Sequence, residues 1–148
     1  MPEARELQVG ESHQAAVALL ELRPRLESVE RITSQIDAQR TVGYRIVASF
    51  EDGDEDAAAV AGFRIAHNLA WGRFAYVDDL VTRAGLRGRG HADAVMAWVE
   101  REAVRQGCGE LHLDSGVGSD RADAHRFYFR HGMRIASYHF CRALAVAR

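Results

Sequence analysis

Residues 73–82, RFAYVDDLVT, carry the β-branched and aromatic bias of a strand, and residues 110–115, ELHLDS, carry it again. Between them lies GLRGRGHADAVMAWVEREAVRQG (85–107), in which Ala92, Val95, Met96, Val99 and Ala103 recur at helical spacing. Strand, helix and strand in that order, with Gly107 as the stop, demand a crossover connection, so the two strands lie parallel. All-helical and purely antiparallel folds are excluded by this one stretch.

The other segments fill in around the crossover. Leu7 to Val9 reads as a first strand, and Ser12 or His13 opens a helix with Ala16, Leu19 and Leu20 on one side, ended by Pro24. A second helix is expected from about Leu26 to Gln39, with Leu26, Val29, Ile36 and either Ile32 or Thr33 turned inward, before Gly43 breaks the pattern. YRIVASF (44–50) and AAAVAGFRIAH (57–67) read as a hairpin across the solvated turn EDGDED. Asp120 to His131 reads as a last helix, and MRIASYHFCRALAV (133–146) as one long strand or two short ones. The fold class is therefore α/β with a mixed sheet, and 148 residues fit a single domain spanning 1–148.

Composition narrows the partners. With 19 Lys and Arg against 21 Asp and Glu, the chain has no basic footprint, so no nucleic acid is expected. No apolar run reaches membrane-spanning length, and MPEARELQVG has no basic-then-apolar leader, so the expectation is a cytoplasmic chain with no membrane partner. Cys108 and Cys141 read as two reduced thiols.

The loop that opens the helix is suited to an anion. A helix start leaves four backbone N–H groups without intrahelical partners and carries the positive end of the helix dipole. Gly88 and Gly90 strip side chains from the approach, Ala92 adds only a methyl, and Arg87 and Arg89 add charge-assisted donors. A P-loop would need G-K-[ST], which is absent, and a dinucleotide fingerprint would need glycine where Asp93 stands.

The run RGRGHA, Arg87 to Ala92, resembles instead the R/Q-x-x-G-x-G/A signature of the GNAT acetyltransferase superfamily, in which successive backbone amides bind the pyrophosphate of acetyl-CoA. ADAHRFYFRHGM (122–133) is similar to the A-x-x-F-Y-x-x-x-G-F segment of that family at Ala124, Phe127, Tyr128 and Gly132, with Met133 in place of Phe. The resemblance is dense from Tyr76 to Met133, looser from Tyr44, and slight over residues 1–43, the region that in this superfamily commonly shapes the acceptor site. It implies a centrally splayed, mixed β-sheet flanked by helices. It also implies an acetyl-CoA-dependent N-acetyltransferase without a metal, acting by direct attack of a primary amine in a ternary complex.

Residue roles follow from the same resemblance. Arg87, Gly88, Arg89, Gly90, His91, Ala92 and Phe127 would bind the cosubstrate, and a backbone N–H near Leu80, Val81 or Thr82 would meet the oxyanion where the strands part. Tyr128 matches the position of a tyrosine general acid, and a packed tyrosine beside Phe127 is the other reading. For the base, strand alternation sends Asp78 and Asp79 to opposite faces, so at most one meets the acceptor. Asp78 is favoured, with a water relay as the safer route; alternatively both carboxylates are structural, paired with an arginine such as Arg64 or Arg73.

The acceptor is expected to be a small amine, with a protein lysine or N-terminus as the second choice. A catalytically idle acyl-CoA sensor is the alternative from another class, and an acyl group larger than acetyl stays open. Sheet edges and the final strand leave room for a homodimer. Seven histidines do not make a metal site here, because no H-x-x-x-H or C-x-x-C pair exists.

Overall fold

Five strands form one sheet in the order of the chain: β1 (Ala4–Leu7), β2 (Arg45–Ser49), β3 (Ala59–Asn68), β4 (Gly72–Thr82) and β5 (Glu110–Leu113). The first four pair antiparallel in succession, and β5 lies parallel to β4, with Phe74 to Val77 opposite Glu110 to Leu113. The helices are α1 (Ala16–Leu22), α2 (Val29–Arg40), α3 (His91–Arg105) and α4 (Ala122–Arg130). The computed structural model describes residues 2–146, and its backbone divides into two units, one ending at Leu113 and the other starting at Asp114.

Two apolar clusters sandwich the sheet of the first unit. On one face Ile46, Ala48, Val60 and Val81 meet Ala16 and Leu19 of α1 and Ile32 and Ile36 of α2. On the other, Val47, Ala61, Phe63 and Val77 meet Val95 and Val99 of α3. Ile46 and Ala48 against Val47 is the alternation of a strand buried on both sides. Each valine of α3 that is removed from water contributes about 1.5–3 kcal/mol, which fastens the start of that helix to the sheet.

Two expectations need correction. The first strand ends at Leu7 instead of starting there, because the Glu11 N–H bonds the Gln8 carbonyl at 2.9 Å and the Gln8 N–H bonds the Glu11 carboxylate at 2.9 Å. That turn leaves Val9 exposed and fixes Leu7 as the buried end of β1. The strand or strands expected over 133–146 do not form: residues 134–146 are exposed and belong to no ladder of the described residues. Alternation describes which side chains share a face, but a strand also needs a neighbouring backbone to pair with. Among the described residues, no helix is long and apolar enough to cross a membrane.

Candidate active site

From Thr82 the chain turns through a short 3₁₀ segment, Ala84–Leu86, into the loop Arg87 to Gly90 and then α3. Gly88 and Gly90 adopt φ of +77° and +86°, values that disfavour any side chain. A Cβ at Gly88 would meet nothing within 4 Å, so the loop is open above that residue. Gly90 is the N-cap and supplies no side-chain cap, so the first-turn amides remain directed out of the helix start. This cradle of left-handed glycines, helix N-terminus, and exposed Arg87 and Arg89 fits a pyrophosphate.

The underside of the loop is polar. His91, the first residue of α3, is 2 % exposed, and both ring nitrogens are engaged. Its Nδ1 lies 2.7 Å from the Ser49 hydroxyl at the end of β2, and its Nε2 lies 3.2 Å from a Glu51 oxygen. The other oxygen of Glu51 accepts from Arg89. His91 and Arg89 together hold the Glu51 carboxyl below its ordinary value.

Before the loop, β4 is irregular where the two aspartates sit. Val77 opposes Phe63 and Asp79 opposes Gly62, so Asp78 is an inserted residue, a β-bulge. Val77 and Leu80 consequently pack against the same cluster, which strict alternation forbids. The expectation of opposite faces therefore fails, because the period of two is broken between the aspartates. Arg64 donates to both oxygens of Asp78 at 2.8 Å. Asp79 accepts from Arg23 at 3.0 Å and from the buried Tyr44 hydroxyl at 2.7 Å, and burial and Asp79 together push the Tyr44 phenol well up. The ladder with β5 ends at Val77, so from Asp78 to Thr82 the edge of β4 facing away from β3 has no strand partner in the sheet.

In the second unit, α4 closes on Gly132, at φ +76°. The Met133 N–H bonds the Tyr128 carbonyl at 3.1 Å, and the Gly132 N–H bonds the Phe129 carbonyl at 3.0 Å. This left-handed C-cap gives the motif glycine a physical reason. Phe127 packs edge-on to Tyr128 at 5.8 Å between ring centroids, and burial raises the Tyr128 phenol above its ordinary value. Arg126 pairs with Asp123, and Arg130 lies over the Phe127 ring.

The model of the Acetyltransferase (GNAT) family matches residues 15–133. The chain belongs to that family. An aminoalkylphosphonate N-acetyltransferase of Salmonella typhimurium is 32% identical over 78 residues, which are 53% of this chain and 48% of that enzyme. The match thus spans about half the length of that relative. An uncharacterized N-acetyltransferase of Bacillus subtilis is 31% identical over 122 residues, covering 81% of this chain and 82% of the relative. The solved structure of an aminoglycoside N-acetyltransferase in complex with CoA superposes with a TM-score of 0.80 at 14% identity, covering 99% of this chain and 96% of the other. The fold of this chain is thus the GNAT acetyltransferase fold, with a mixed five-stranded sheet flanked by helices.

Some features of this GNAT site escaped sequence reading. The partners of Asp79, Arg23 beyond α1 and Tyr44 before β2, lie 56 and 35 positions away along the chain. The bulge itself had a signal: apolar residues at 77, 80 and 81 around two aspartates fit no period of two. Glu51, read as part of a solvated turn, is instead tied to two loop residues.

Proposed function

We propose that this GNAT chain is an N-acetyltransferase that moves the acetyl group of acetyl-CoA to a small primary amine by direct attack. The observation that carries this reading is the succession, along one stretch of chain, of an unpaired β4 edge, a bulge bearing two carboxylates, and a glycine cradle at a helix start that is open above Gly88. When bound, acetyl-CoA supplies an activated acyl carbonyl and a thiol leaving group. Arg87 to Ala92 would grip its pyrophosphate through backbone amides and the two guanidinium groups. A backbone N–H within Leu80 to Thr82 would donate to the carbonyl oxygen.

Tyr128, whose phenol burial keeps protonated, is assigned as the proton donor to the leaving sulfur. Both carboxylates of the bulge already accept from guanidinium groups or the Tyr44 hydroxyl, and their remaining lone pairs suit a water that takes the proton from the amine. The relative named for aminoalkylphosphonate acetylation supports a small amine over a protein lysine or N-terminus. A homodimer is proposed alongside, on the exposed apolar side chains of residues 135–146.

The test is calorimetric titration with acetyl-CoA, followed by measurement of free-thiol release over a panel of aminoalkylphosphonates, aminoglycosides and a lysine peptide. Binding with thiol release from one amine class establishes the transferase and its acceptor. Binding without release from any amine replaces the enzyme with an idle acyl-CoA sensor, and absence of binding overturns the site.

A further inference from the structure

The run Ser49, His91, Glu51, Arg89 connects the end of β2 to the anion loop through side chains, and the chemistry above uses only the Arg89 guanidinium and the His91 backbone from it. An ionised carboxylate only accepts hydrogen bonds, so the His91 nitrogen facing Glu51 carries a proton. In the neutral ring Nδ1 then accepts from the Ser49 hydroxyl. In the charged ring Nδ1 donates, and the same hydroxyl rotates to accept. The cluster thus holds His91 in either protonation state with its heavy atoms in place, although the ring is only 2 % exposed.

Which state is favoured depends on what else Glu51 holds. In the free protein its carboxylate is shared between Arg89 and His91. Around it stand Arg5, engaged by Glu11 and Gln14, the exposed His13, and Asp52, Asp54, Glu55 and Asp56 of the same turn, with Asp54 paired to Arg83. On the loop side the nearest charges in sequence are Arg87 and Asp93. A pyrophosphate seated on the loop offers Arg89 more negative charge and more acceptor oxygens than one carboxylate does. As the guanidinium turns to it, Glu51 keeps His91 as its remaining donor from the loop, and fresh negative charge arrives at the helix start where His91 sits.

We infer that seating CoA on the loop draws one proton from solvent onto His91, as Arg89 passes from Glu51 to the pyrophosphate. The charges balance. Before binding, the Arg89 cation is matched by the Glu51 anion; afterwards Arg89 is matched by phosphate, and the proton gained by the His91 ring matches Glu51. Linkage makes this a pH dependence, because a ligand whose binding takes up a proton binds more tightly as pH falls through the histidine range. The inference rests on the CoA reading of the loop, and its test separates the two.

The measurement is calorimetric titration of the full chain with CoA at neutral pH, in buffers of different ionisation enthalpy, repeated at pH 9. The expected result is an apparent enthalpy that varies with the buffer by up to about one proton taken up per CoA, a dependence lost at pH 9. Glu51→Gln, at a half-exposed position, should abolish most of the uptake while CoA still binds. This variant separates the uptake at His91 from the titration of the CoA phosphates, which it leaves untouched. Binding by the wild type without buffer dependence, or an unchanged uptake in Glu51→Gln, overturns the inference alone. Absence of CoA binding overturns the loop assignment as well.

Discussion

At Tyr128 burial acts on the phenol in a definite direction. It raises the group above its ordinary value of 10.0, and Arg121 opposes the shift only in part. A proton donor must be protonated, so a raised value carries the active form to more alkaline pH. The activity profile of the wild type should therefore show no loss assignable to this tyrosine below about pH 10. Tyr128→Phe should lower kcat by ~10² with little change in KM for acetyl-CoA, because a thiolate of ordinary basicity leaves without much help. Steady-state thiol release measures both, and an unchanged kcat would return Tyr128 to a packing role.

Gly88 gives the complementary case, a residue whose part is to be absent. At φ +77°, Gly88→Ala should cost about 1 kcal/mol of stability, a Tm shift of roughly 2–4 °C, with no clash to add because the space above it is open. The methyl would stand in that open space, so affinity for CoA should fall well beyond the stability change. Calorimetry beside a thermal melt distinguishes the two effects. This glycine was legible in the sequence because backbone that must bend left-handed at a helix start leaves few other choices. The neighbouring His91 side chain was not, since nothing local says that its partners lie at positions 49 and 51.

At the scale of elements, the bulge of β4 turns the strand and sets both aspartates at the point where the ladder with β5 ends. Tyr44 holds it from below, its ring lying against Gly62, where any Cβ would collide with the phenol. Tyr44→Phe removes a hydrogen bond to an ionised partner and should destabilise by about 1.5–3 kcal/mol. Gly62→Ala should destabilise more, because it moves the ring and the hydrogen bond together. Chemical denaturation ranks the two, and the reverse order would mean that β3 yields more easily than the tyrosine.

The first strand, the second strand and α3 meet in a charged cluster. Arg45 donates to Glu6 at 2.8 Å and to Glu102 at 2.6 Å, and Arg105 and Arg45 lower the Glu102 carboxyl from 4.5 to about 2. A carboxylate depressed in the folded state stabilises above its unfolded value and loses that contribution as pH falls. Glu102→Gln should thus lower the Tm at neutral pH, and the gap from wild type should close between about pH 4.5 and pH 2. Melts across that range measure it, and a gap independent of pH would assign the loss to packing. The crossover of β4, α3 and β5 was plain in the sequence, since periods of two and 3.6 alternate there. The ion cluster that joins α3 to the first strands was hidden, because its members are spread from residue 6 to residue 105.

For the whole molecule the consequential feature is the segment beyond Met133. Its alternation of apolar and polar residues reads as strand, yet Ile135, Tyr138, Phe140, Leu144 and Val146 are all exposed, from 69% to 92%. Pattern alone separates the two faces of an extended chain and says nothing about whether a partner strand lies alongside it, which is why this part of the fold could not be read in advance. The match to the family model ends at residue 133, before this segment begins. Apolar side chains exposed one after another are seldom left bare on a monomer in water, and a second copy would bring the same side chains to meet them. Sedimentation over a range of protein concentration should show reversible dimerisation of the full chain. Deletion of residues 134–148 should leave a monomer with a melt close to that of the full chain, because no described residue of that stretch is buried. A truncated chain that still dimerises would place the interface elsewhere, and one that unfolds would give the segment a structural role within its own chain.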